Sequence, residues 1–248
     1  LWCAKNAAMF GTFSTSSWFG ISLMKTVVWH NVPESELRAM IGRGEISPLV
    51  LIRPFSPLSE YRDLIAWPAP TGIPALDSET KSTGSPNLNH LAYLEVSRQS
   101  RRDALAVLRA RPQAYAAGLA RSAFHFFRPA EESYRLDANR AHIAPWDRLW
   151  CHLMGQVRWS APGTLTDTGE RFTAAQFLRI CWLLVPAYAA ILLTGPWLWR
   201  RARRRRWEAT SATLVFLWLN LAWIAVVANA LESGENNRFR FMVEPLVV

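Results

Sequence analysis

The chain has 248 residues, half of them hydrophobic, with 13 tryptophans and a formal net charge of +9. Residues 200–208 hold six arginines against Glu208, or +5, leaving +4 for the rest, so the pI near 10.2 is mostly a local feature and a nucleic-acid or polyanion binder is disfavoured. No phosphate-cradling loop is present, because Thr80 and not Gly precedes Lys81, and there is no G-x-G-x-x-G, H-E-x-x-H or G-x-S-x-G, which removes the sequence support for nucleotide-fold, zincin and hydrolase-elbow readings.

At the start, Leu1-Trp2-Cys3-Ala4 runs straight into Lys5-Asn6, which reads as the outer end of a preceding membrane helix (residues 1–8) and makes the chain an expected fragment of a longer protein. Residues 7–30 mix small, hydroxyl and aromatic side chains such as Phe10, Phe13, Trp18, Phe19 and Trp29. That mix suits either a segment on the outer leaflet or packing against other parts of the protein. Pro33-Glu34-Ser35-Glu36 predicts a short helix to about Arg43, with acids at its positive end and glycines where it stops. Seven prolines between Ser47 and Pro86 exclude a regular helix there.

Asn87 to Arg111 reads as an amphipathic helix with Leu91, Leu94, Leu105 and Leu108 on its apolar stripe and Arg98, Arg101, Arg102 and Arg109 elsewhere. Pro112 breaks it and starts a second helix, Gln113 to Phe127. Such basic helices suit a membrane surface or cover a core. From Glu131 to Arg171 the chain is polar, and Pro145 and Pro162 limit it to loops or short helices; Asp137 and Asp147 are weak candidates for general bases. His90, His125, His142 and His152 lack metal-site spacing, and Cys3, Cys151 and Cys181 give no disulfide framework. No cofactor is implied, and a divalent metal stays open.

Residues 175–199 and 209–231 are each long and apolar enough for an α-helix crossing a bilayer. The fold class expected is therefore mainly α: a polytopic membrane protein fragment with two complete transmembrane helices and a long extracytoplasmic segment of short amphipathic helices. Arginines in short loops stay on the cytoplasmic side, which places residues 200–208 inside and residues 9–174 and 232–240 outside. Residues 241–248 read as the start of a further span. Trp197, Trp199 and Trp207 fall at the inner interface, and Asn220 and Asn229 within the second span suggest interhelical hydrogen bonds or a cavity lining.

Beyond that span, Arg238 and Arg240 fall at outer headgroup depth, where a guanidinium fork binds a lipid phosphate or simply anchors the boundary, and Glu235 is placed to orient one of them. The run Glu235 to Leu246, an acid followed by R-x-R and Pro245, resembles the C-terminal part of bacterial multi-spanning glycosyltransferases of the GT-C superfamily, related to the dolichyl-phosphate-mannose protein mannosyltransferases. Lys5-Asn6-x-x-x-Phe10-Gly11-x-Phe13 and Ser16-Ser17-Trp18-x-Gly20 are similar to the segment after a membrane helix in those proteins. The resemblance implies transfer of a sugar from a polyprenyl-phosphate carrier to an extracytoplasmic acceptor at a bacterial inner membrane. It puts the catalytic carboxylate in a first outer loop that the chain lacks, so no catalytic residue is assigned. Arg238, Arg240 and, more weakly, Lys5 are the expected contacts to the carrier phosphate. The partners expected are the lipid bilayer, the polyprenyl-phosphate-linked sugar and the remaining N-terminal half, with no nucleic acid. A transporter of lipid-linked saccharides and a noncatalytic membrane assembly protein are the competing classes.

Overall fold

The computed structural model describes residues 1–11, 13, 16–128, 140–156, 180–205 and 207–231. The chain is mainly helical, with 67% helix and no strand among the described residues. It divides into two compact units, residues 1–118 and 119–248.

The first unit holds α1 (Trp2–Phe10), α2 (Phe19–Val27), α3 (Glu34–Gly42), the single turn α4 (Pro74–Asp77), α5 (Ala92–Ala110) and the first turns of α6 (Pro112–Phe126). α1 ends at Gly11, whose φ of +63 is one that L side chains rarely adopt, and the Arg98 guanidinium donates to the terminal Phe10 carbonyl, a favourable place for a cation at a helix C-terminus. α3 starts after Pro33 with Glu34 and Glu36 in its first turn, as its sequence predicts.

α2 packs on α5 and forms the centre of the core. Ile21, Leu23, Met24 and Val27 of α2 meet Tyr93, Val96, Ala104 and Val107 of α5, so this stretch contributes to the core of its own unit. The buried face of α5 differs from the leucine stripe expected. It consists of Ala92, Tyr93, Val96, Ser97, Ser100, Asp103, Ala104 and Val107, while Leu94, Leu105 and Leu108 are only partly buried. Small side chains allow a close approach: a Cβ on Gly20 would lie 1.8 Å from the Ser97 carbonyl oxygen. In the same contact Gly20 N–H donates to Ser97 Oγ at 3.0 Å, which satisfies an otherwise orphaned donor in the first turn of α2. Asp103, 2% exposed, accepts from the Ser47 hydroxyl (2.6 Å), the Ser47 amide (3.1 Å) and Gln99 Nε2 (2.8 Å), pinning the proline-rich segment to α5.

That segment contains only short turns of 3-10 helix at Pro48–Leu51, Leu58–Glu60 and Arg62–Leu64 besides α4. Tyr61 and Tyr93 tie it down through hydroxyl bonds to the carbonyls of Arg53 and Ser56, both at 2.7 Å. Ahead of α4, the Asp77 carboxylate accepts from the amides of Thr71 (2.9 Å) and Gly72 (2.7 Å) and from the Thr71 hydroxyl (2.9 Å). The Thr71 amide above all holds this carboxyl below the usual carboxylate range. With the folded value below the unfolded one, the turn's stabilisation is complete above the ordinary range near pH 4 and is lost as pH falls through the lowered value. The amide resonances of Thr71 and Gly72 in the detergent-solubilised chain should therefore titrate with a midpoint below about pH 3.9. A midpoint at or above that value would remove the link between these bonds and the carboxylate.

The second unit holds the end of α6, then α7 (Arg140–Leu153), α8 (Leu184–Arg204) and α9 (Ala209–Leu231). α7 runs through Pro145, where an interruption was expected. The proline removes one backbone donor, and the helix beyond it is held by buried Cys151 and by Met154, which packs into the core of this unit. That core comprises Phe126, Cys181, Leu184, Tyr188, Leu221 and Ala228, with the rings of Phe126 and Phe127 edge-on to Tyr188 at 5.3 and 5.7 Å.

α9 is a 23-residue helix with an 18-residue stretch of mean hydropathy 2.1, long and apolar enough to cross a membrane. α8 starts at Leu184 and includes Arg200, Arg201, Arg203 and Arg204, so its helical apolar part is shorter than the span expected from residue 175. The chain thus has one helix with the length and composition of a complete span among the described residues.

Candidate functional site

Two features of the structure have chemistry to offer, a cavity in the first unit and the α8–α9 hairpin in the second. The cavity, about 330 Å³, is lined chiefly by Phe10, Trp18, Leu76, Leu88, His90 and Tyr93. His90 is 5% exposed, and its Nδ1 accepts the Ala92 amide at 3.0 Å near the start of α5, which puts the proton of the neutral imidazole on Nε2. Its ring lies 5.4 Å from Trp67, which carries the Arg62 guanidinium 4.3 Å from its centroid. Arg62 also pairs with Glu79. The Tyr93 hydroxyl is already committed to Ser56. Among the described residues no carboxylate lines this cavity, which is a mostly apolar hollow with one imidazole and the polar side chains of Ser17 and Asn89.

In the hairpin, Pro196 stands inside α8 and has no N–H to give to the Leu192 carbonyl. Trp218 of α9 fills the gap, its indole N–H donating to the carbonyls of Ile191 (3.1 Å) and Leu192 (3.3 Å). Gly195 makes room for it, since a Cβ there would fall 2.0 Å from the Trp218 ring. Asn220 and Asn229 do not bridge the helices: each donates to its own helix, Asn220 to Phe216 (2.8 Å) and Asn229 to Ala225 (2.6 Å). The interhelical bond comes instead from Trp218. A proline in one helix with a tryptophan in the next was the available signal.

The hairpin turn is closed by backbone bonds from Arg205 to Arg201 (3.0 Å) and from Trp207 to Ala202 (2.9 Å), with Trp207 at φ +59. Trp199 and Trp207 meet edge to face at 5.1 Å, and Arg201 lies over Trp197 at 5.2 Å. Arg205 pairs with Glu208 at 3.3 Å.

Of the residues expected at the carrier phosphate, Lys5 lies exposed on α1 in the first unit. Arg238, Arg240 and Glu235 lie outside the described residues, as does Asp137. Asp147 falls on α7, with its side chain outside the described set. Among the described residues no group of three or more His, Cys, Asp or Glu is arranged to hold a metal ion. Cys3, Cys151 and Cys181 form no disulfide among the described residues, and the last two are buried.

The chain matches no family model, no curated protein and no solved structure.

Proposed function

We propose that the chain is the C-terminal part of a membrane glycosyltransferase of the bacterial inner membrane, which transfers a sugar from a polyprenyl-phosphate carrier to an extracytoplasmic acceptor. In this reading α8 (Leu184–Arg204) and α9 (Ala209–Leu231) are the two membrane-crossing helices, the arginine-rich turn at residues 200–208 faces the cytoplasm, and residues 9–174 form an outer domain. The observation that carries the membrane part is the α8–α9 hairpin. α9 leaves Leu214, Phe216, Leu219, Trp223 and Val226 exposed, a run of apolar surface that water would not favour. Its Trp218 supplies the hydrogen bond that Pro196 withholds, a need that is greatest where no water can take the donor's place. The sugar-transfer part rests on the resemblance of residues 235–246, with Arg238 and Arg240 offsetting charge on the leaving carrier phosphate and Glu235 orienting one of them.

The test is sugar transfer by the full-length protein in proteoliposomes with a labelled polyprenyl-phosphate sugar. Changing Arg238→Ala and Arg240→Ala together should lower kcat/KM for the donor by about 100-fold, the usual loss when charge-assisted phosphate contacts disappear. Unchanged donor affinity and turnover would remove the phosphate site. Absence of transfer by the wild type with every donor would shift the reading to a lipid-linked-saccharide transporter or a membrane assembly protein.

A further inference from the structure

The end of α8 carries more cationic charge than its surroundings neutralise. Glu208 is the single carboxylate between Glu170 and Glu232, and it is taken by Arg205. The arginines are also sorted by face. Gly195 and Ala202, seven residues apart, are buried, and Gly195 meets Trp218 of α9. At about 100° per residue, Arg200, Arg201 and Arg204 fall on the opposite side of α8, together with Trp197 one turn before them. All four are exposed, Trp197 by 55%, and none of the three arginines has a carboxylate partner among the described residues.

We propose that Arg200, Arg201 and Arg204 with Trp197 form a binding face for the phosphodiester headgroup of an anionic phospholipid. Three points select this occupant. Guanidinium groups in adjacent turns repel one another unless an anion lies between them, and their planar forks match phosphate oxygens in pairs. Trp197 sits beneath Arg201 at 5.2 Å, so one end of the face is aromatic and the other cationic, the order met on passing from acyl chains to headgroups. Backbone bonds from Arg205 to Arg201 and from Trp207 to Ala202 cap the end of the helix, which keeps the backbone of the three arginines helical and their side chains on one face. Anionic lipids of the inner leaflet supply this chemistry at the depth where the hairpin turns. The site rests on the two-span reading and lies on the side of the membrane opposite the proposed carrier-phosphate contacts.

The test uses the full chain reconstituted in phosphatidylcholine vesicles with a trace of spin-labelled phosphatidylglycerol or spin-labelled phosphatidylcholine. The motionally restricted fraction in the electron paramagnetic resonance spectrum gives the selectivity. The wild type should prefer phosphatidylglycerol, and each arginine removed from the face should lower that preference by up to about five-fold. The variant with Arg200→Gln, Arg201→Gln and Arg204→Gln should lose the preference, and the triple Arg→Lys variant should retain part of it. Arg203→Gln with Arg205→Gln, which alters the flanks, should leave most of it. Far-UV circular dichroism of each variant guards against loss of the helix. No preference in the wild type, or equal losses from the face and flank variants, would overturn the site while leaving the membrane reading in place. Release of the wild-type chain from vesicles by alkaline carbonate would overturn both.

Discussion

Gly20→Ala should separate α2 from α5 and destabilise the first unit by about 3 kcal/mol or more. The new methyl would sit 1.8 Å from the Ser97 carbonyl oxygen, 2.7 Å from its carbon and 3.0 Å from Arg101 Cβ. These neighbours are backbone and the root of a side chain, so neither can swing away, and the helices have to part. Separation also breaks the Gly20 to Ser97 hydrogen bond and opens the contact around Ile21 and Met24, which are 0% and 2% exposed. Gly42→Ala is the control, because a Cβ there meets nothing within 4 Å and should leave stability unchanged or slightly raised. Hydrogen exchange across residues 19–27 and 92–107 of the full chain would report the difference. Equal protection in Gly20→Ala and wild type would mean that the close approach does not exist in solution.

Trp218→Phe should loosen the hairpin by about 2 kcal/mol, since it leaves a smaller aromatic ring in place and deletes the donor that serves the Leu192 carbonyl. The distinguishing result is coupling. Pro196→Ala restores a backbone N–H for the same carbonyl, so Trp218→Phe should cost less in that background than alone. The double-mutant cycle can be followed by far-UV circular dichroism during detergent unfolding. Additive effects would show that Trp218 packs without compensating for the proline. Gly195→Leu should displace the ring whether or not its N–H is present.

Helix ends were legible wherever a local signal marks them. Pro33 with Glu34 and Glu36, and Pro112 after Arg111, mark the starts of α3 and α6 to within a residue. The length and near-absence of charge from Ala209 to Leu231 mark α9. The inward face of α5 was not legible, because a periodicity weighted by large apolar residues follows leucines, whereas the buried face includes Ser97, Ser100 and Ala104, and at Ser97 the helix comes close to Gly20 of α2. Asp103 was missed for a related reason: its partner Ser47 is 56 residues away, and nothing near it in sequence marks it as buried. The hydrogen bonds of Asn220 and Asn229 turned inward to their own helix because an amide four residues beyond a carbonyl reaches it without a partner helix. Of the candidate phosphate site, only Lys5 falls within the described residues, so its assembly was read from sequence alone.

The Gly20 amide in the first turn of α2 finds its acceptor 77 residues later in the chain. A ribosome working at 5–20 residues per second needs roughly 4 to 15 seconds to supply Ser97 after Gly20 has been made. During that interval Ile21, Leu23, Met24 and Val27 have no α5 to cover them. The α2–α5 core therefore closes only after α5 has been made, and until then the apolar face of α2 stays uncovered by its native partner.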